Sequence, residues 1–120
     1  MQANEESPFP GALACRFVKG TKATLGFTKF EHTCVLEMDG VEAEVSRSFF
    51  RKVWSRLETA DIPFALHWGK LNFVLNEGLI RKMYSNESVD SWISCRHALM
   101  DEASRNAFTN DFMRQCGLDR

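Results

Sequence analysis

Several signatures of self-contained chemistry are missing from this 120-residue chain: it has no P-loop, no GxSxG, no HExxH and no GxGxxG. Phosphate cradling, serine hydrolysis, zinc hydrolysis and dinucleotide binding in their motif-bearing forms are therefore not expected. Charge of one sign is missing as well. Fifteen basic residues stand against 16 acidic ones, for a net charge of −1, and they are spread along the chain. No basic patch calls for nucleic acid, and no polybasic stretch calls for an anionic membrane. Apolar runs are only a few residues long, too short to cross a bilayer. The opening "MQANEESPFPG" is acidic and has no apolar core, so it does not read as a secretory signal. No CxxC pair occurs: Cys15, Cys34, Cys95 and Cys116 stand far apart. Together these absences predict four free thiols in a reducing, cytoplasmic setting.

What is present suits a folded domain. The chain is 44% hydrophobic and 26% charged, with ten Phe and three Trp, an ordinary balance with a heavy aromatic load. Residues 1–10 read as a flexible lead and residues 11–120 as a single α+β domain. Leu13–Val18 reads as a strand with Leu13, Cys15 and Phe17 on one face and Ala14, Arg16 and Val18 on the other. Cys15 and Cys34 read as small hydrophobes in apolar strands. "KGTK" predicts a turn at Gly20, Ala23–Phe27 a short strand, and His32–Met38 a further strand ended by a turn at Asp39-Gly40.

Ser46 is placed to cap a helix whose inner face carries Phe50, Val53, Trp54 and Leu57, with Arg47, Arg51, Lys52 and Arg56 outside. That helix should stop near Thr59. Ile62–Leu66 and Leu71–Leu75 read as strands. Asn76 caps a short helix with Leu79, Ile80, Met83 and Tyr84. Glu87–Met100 is a helix presenting Val89, Trp92, Ile93 and Arg96. Ala103–Cys116 forms one helix or two broken near Thr109-Asn110, with Ala107, Phe108 and Phe112 inward, and Gly117 ends it. The order implies an antiparallel β-sheet covered on one side by helices.

The stretch "PFALHWGKLNF", Pro63–Phe73, stands out. It sets His67, Trp68, Gly69 and Lys70 in sequence between two apolar runs, which suits a strand delivering a side chain into a site. In an extended strand Trp68 and Lys70 share one face and His67 the other; a bulge at Gly69 would bring His67 and Lys70 together. The plainer reading is that His67 and Trp68 are partly buried sheet residues with backbone partners. Arg16 faces away from Leu13, Cys15 and Phe17, and its partner is either Glu37 or a bound anion or polyol. The pairs His32-x-Cys34 and Cys95-x-His97 invite a metal test. Residues two apart share a face on a strand but diverge by about 200° on a helix, so the second pair does not converge and no metal site is expected.

"ALHWGKLNF", with "VWSRLETADIPF" before it and "MYSNESVDSWISCRHALMDEASRNAFTNDFMRQCGLD" after it, resembles the C-terminal region of FAD-linked oxidases of the vanillyl-alcohol oxidase superfamily. The nearest branch is the aldonolactone and alditol oxidases, of the D-arabinono-1,4-lactone oxidase kind. "LACRFVKGTKATLGF" is similar to that family's strand-turn-strand. The resemblance implies that Lys70 and Arg16 act on a substrate oxygen near the flavin and share one concavity, with His67, Trp68 and Glu37 as substrate-side residues. A cation there would stabilise charge developing as hydride leaves the adjacent carbon, and the flavin would accept the hydride. Ala14 stands where the polyol oxidases carry a glutamate. No pyrophosphate loop and no flavin-linking histidine segment accompany these residues. The expectation is thus a substrate-binding cap for a hydroxylated small molecule (a sugar, lactone or alcohol), binding no FAD by itself and inactive alone. Its partner would be a flavin-binding domain or subunit, or a second copy. The alternative is a small non-catalytic binding or protein-interaction module of the same fold.

Overall fold

A computed structural model describes residues 9–120. The architecture is α+β: a two-stranded antiparallel sheet and, among the described residues, five helices. The strands are β1 (Gly11–Lys19) and β2 (His32–Gly40). The helices are α1 (Glu44–Thr59), α2 (Glu77–Tyr84), α3 (Asn86–Leu99), α4 (Glu102–Ala107) and α5 (Asp111–Gln115). The chain forms two compact units. One takes the chain up to Gly20 and resumes over Phe30–Phe64; the other takes Thr21–Lys29 and Ala65–Arg120.

In the first unit, β1 and β2 pair without slip from Gly11↔Gly40 to Lys19↔His32. The constant register leaves no bulge, so Leu13, Cys15 and Phe17 share a face with Met38, Leu36 and Cys34. Gly20 is not the centre of a tight turn. Its N–H donates to Glu31 at 3.0 Å, closing the ladder, and a Cβ there would lie 2.3 Å from the Phe30 carbonyl oxygen. Glycine is required by that close approach. The chain between Thr21 and Lys29 leaves for the other unit instead of forming a hairpin loop. Asp39-Gly40 is likewise no turn, because β2 runs through it opposite Ala12 and Gly11.

Helix α1 begins at Glu44, ahead of the expected cap. Ser46 lies inside it, fully buried, and its hydroxyl donates to Val41 O at 2.7 Å. Phe50 and Trp54 are buried, as the spacing predicts, and Phe49, absent from that face on paper, is buried with them. The reason is Phe9, whose ring stacks on Phe49 at 4.6 Å and 14° and also meets Phe50 at 5.6 Å. This widens the apolar stripe of α1 by one position. Of the expected lead, residues 1–8 lie outside the described residues, while Phe9 is packed. The helix ends at Thr59 with Asp61 at φ 52°. Asp61 N–H reaches Glu58 O and Ile62 N–H reaches Leu57 O, the two bonds of a Schellman motif.

In the second unit, Leu75, Ile80, Met83, Tyr84, Val89, Cys116 and Leu118 form the core. Asn76 caps α2 by accepting from Leu79 N–H at 3.0 Å, and Asp101 and Asn110 cap α4 and α5 in the same way. Gly117 at φ 66° closes α5, with its own N–H on Arg114 O and that of Leu118 on Met113 O. Arg96 is buried without a carboxylate. It donates to Arg105 O at 2.8 Å, Thr109 Oγ1 at 2.6 Å and Asp119 O at 3.4 Å. That polar turn corrects the expectation for Ala107 and Phe108, which point outward, Phe108 being 68% exposed.

The strands expected at Ala23–Phe27, Ile62–Leu66 and Leu71–Leu75 do not form. Local bonds take backbone groups in each: Gly26 N–H to Ala23 O, Ile62 N–H to Leu57 O, and Leu75 N–H to Asn72 O. Groups used within a turn are not offered to a neighbouring strand.

Candidate functional site

The His67–Lys70 segment is a turn. Its Lys70 N–H donates to His67 O at 3.1 Å, and Gly69 N–H donates to His67 Nδ1 at 3.1 Å. An acceptor Nδ1 belongs to the tautomer that carries its proton on Nε2. The His67 ring lies 4.8 Å from that of Phe27. Trp68 is half-buried, 5.9 Å edge-on to Tyr84 and 5.7 Å from Phe112, and its carbonyl accepts from Asn72 Nδ2 at 2.6 Å. Lys70 is exposed. The strand parity that put Trp68 and Lys70 on one face therefore fails: the turn sends the indole inward and the ammonium outward.

Beside Trp68 lies Tyr84, whose hydroxyl is buried. Burial pushes its pKa up to about 12, against a smaller pull from the nearby indole N–H. Neither Trp68 Nε1 nor Tyr84 Oη completes a well-aligned hydrogen bond. Lys29 lies 5.7 Å from the centre of the Tyr84 ring and donates to Met83 O at the end of α2, a favourable place for a cation. Burial lowers its pKa. An open hollow of about 430 Å³ adjoins these groups, bordered by Lys29, Lys82, Thr21, Thr24, Ser85 and Ser88. Its floor includes Ser85 at φ 73°, ψ 156°, a conformation that favours glycine. Sequence reading passed over this hollow because Lys29 and Ser85 sit in no motif.

Arg16 belongs to the first unit and Lys70 to the second. Arg16 Nη2 meets Glu37 Oε2 at 3.0 Å, and the Arg16 side chain is 69% exposed. The carboxylate is one of its two expected partners. Two residues read as small hydrophobes in apolar strands are on the surface: Cys15 and Cys34 are both exposed and free, on the open face of the sheet. Along β2 the other face, with Thr33, Val35 and Glu37, is buried or half-buried. All nine residues of β1 are exposed. Among the described residues no group of three or more His, Cys, Asp or Glu converges. No helix among them is long and apolar enough to cross a membrane.

No protein-family model matches the chain, and no curated protein and no solved structure matches it.

Proposed function

We propose that the chain is a non-catalytic interaction module whose partner is a second copy of itself, paired strand to strand along the outer edge of β1. The observation that carries this reading is the nine-residue, unbulged and wholly exposed β1. Such an edge offers a row of unpaired N–H and C=O groups, and proteins that avoid pairing blunt it with a proline, a bulge or a cover. β1 has no proline and no bulge. Its sequence is also complementary to itself. An antiparallel register with Cys15 opposite Cys15 of the second copy sets Leu13 against Phe17 and Arg16 against Ala14. Apolar side chains then meet and the two arginines do not. A nine-residue edge is smaller than a standard interface of about 1,600 Å², so the dimer is concentration-dependent.

Light scattering over a dilution series tests it. The parent should pass from dimer to monomer, and Phe17→Glu should be monomeric throughout with the thermal midpoint of the dilute, monomeric parent, because Phe17 is 83% exposed. A parent that is monomeric at every concentration would overturn the reading.

A second reading keeps the flavin-oxidase resemblance: a substrate-binding cap for a hydroxylated small molecule, with FAD held by another domain or subunit. The anchoring of His67 on Phe27 and of Trp68 on Tyr84 and Phe112 favours it, because two fixed rings would hold a turn that presents Lys70. In this reading Lys70 and Arg16 are the substrate-side cations, with Glu37 beside Arg16. Flavin absorbance that stays with the chain only when a flavin-binding partner is present would support it. Both readings fit a cytoplasmic protein, whose four thiols are free.

A further inference from the structure

We propose that Cys15 and Cys34 together form a two-thiolate site for a soft, monovalent d¹⁰ cation, with Cu(I) as its representative. The register supplies the geometry. Cys15 is opposite Leu36 and Phe17 is opposite Cys34, so the two cysteines are diagonal neighbours on one face of adjacent strands. Both are exposed and neither is in a disulfide. Desolvation, and after it the neighbouring Cys15, hold the Cys34 thiol above its ordinary pKa. Two thiolates side by side repel, and a cation between them removes that repulsion.

The ligand count decides the metal. Within one chain no third His, Cys, Asp or Glu converges among the described residues, so a single chain does not supply the three or four protein ligands of a zinc site. Thiolates select soft ions, and a d¹⁰ monovalent ion is satisfied by two sulfurs in line. The diagonal spacing also favours a bridging ion over a disulfide. Diagonal Cα atoms are about 7–8 Å apart, whereas a disulfide wants about 4.4–6.8 Å. Two metal–sulfur bonds of about 2.3 Å each reach across about 4.6 Å. Leu13, Phe17 and Leu36 border the pair on the same face and give the sulfurs an apolar surround. Binding forms two S–Cu bonds and releases two thiol protons. The copper stays Cu(I), so no oxidant or reductant takes part.

The test is an anaerobic titration of the full chain with Cu(I) against a chromophoric Cu(I) chelator. The expected result is one Cu(I) per chain, with two thiols lost to a thiol reagent. Cys15→Ser and Cys34→Ser should each weaken binding about hundredfold, the loss of one arm of a two-armed ligand, while Cys95→Ser leaves it unchanged. Both variants sit at exposed positions, and circular dichroism verifies their fold. Binding that survives either single variant, that follows Cys95, or that needs two chains per copper would overturn the proposal. A Cys34→Ser variant that loses copper but still dimerises would separate this site from the strand-edge contact.

Discussion

Arg96 donates to the carbonyl oxygen of Arg105 at 2.8 Å, joining the last turn of α3 to the end of α4 without any carboxylate in between. The same guanidinium reaches Thr109 and Asp119. A buried charge dispersed over carbonyls and a hydroxyl is a structural fastening; its removal takes the Arg96 donor from Thr109 Oγ1 and from the Asp119 carbonyl, while the Arg105 carbonyl keeps the Thr109 hydroxyl. Arg96→Ala should cost about 3 kcal/mol, since an orphaned buried polar group costs about 1–3 kcal/mol. Arg96→Lys should recover only part of this, because an ammonium lacks the planar fork. Urea midpoints measure both. A midpoint for Arg96→Ala within error of the parent would show that the acceptors rehydrate freely.

Phe49 and Phe108 provide a paired check on which aromatics hold the fold. Phe49 is 2% exposed and Phe108 is 68% exposed. Phe49→Ala should cost about 3–5 kcal/mol, as should Trp54→Ala, while Phe108→Ala should stay within about 0.5 kcal/mol. Equal losses at positions 49 and 108 in chemical denaturation would contradict the packing described.

Ser85 caps α3 from a backbone conformation that suits glycine. That conformation costs a non-glycine residue about 1–3 kcal/mol, and a Ser-to-Gly change at a cap loses only a few tenths. The extra freedom of glycine in the unfolded chain takes back about 0.5–1 kcal/mol. Ser85→Gly should therefore raise stability by about 1 kcal/mol, and Ser85→Ala should lower it. A destabilised glycine variant in thermal or urea unfolding would refute the strain.

The Tyr84 phenol makes stability depend on alkaline pH. Its folded pKa is raised from 10.0 to about 12. Above pH 10 the unfolded chain loses this proton while the folded chain keeps it, so the unfolded state binds fewer protons and stability falls as pH rises toward 12. The full effect is on the order of 2 kcal/mol. Tyr84→Phe keeps the ring under Lys29 and removes the titrating group. The difference in stability between parent and Tyr84→Phe should drift steadily between pH 10 and 12 and be flat below pH 9. A flat difference throughout would mean that the hydroxyl is not held neutral by burial.

Helices were largely legible from the sequence because their signals are local. Asn76 announces its cap, and Phe50, Trp54, Ile80 and Met83 announce inner faces by spacing alone. Gly117 marks a stop for the same reason. Strands needed partners that spacing cannot reveal. Leu71–Leu75 has the composition of a strand, but Asn72 and His67 draw the backbone into turns. The alternation in β1 was readable, yet it could not say that both cysteines would face solvent, since an apolar strand face looks the same whether covered or bare. Of the candidate site, the Arg16–Glu37 contact was foreseen as one of two outcomes. The hollow by Lys29 was missed because it joins residues more than 50 positions apart.

The reading of the chain as a self-pairing module is tested most directly by disulfide trapping at Cys15. In the proposed register the two Cys15 residues are directly opposite, at a Cα separation of about 4.5–5.5 Å, within the range a disulfide accepts. A chain carrying Cys34→Ser and Cys95→Ser keeps Cys15 and the fully buried Cys116. Mild oxidation should convert it to a covalent dimer reversible by dithiothreitol, and adding Cys15→Ser should abolish that product. A chain that stays monomeric under oxidation, or that cross-links equally well without Cys15, would contradict the account.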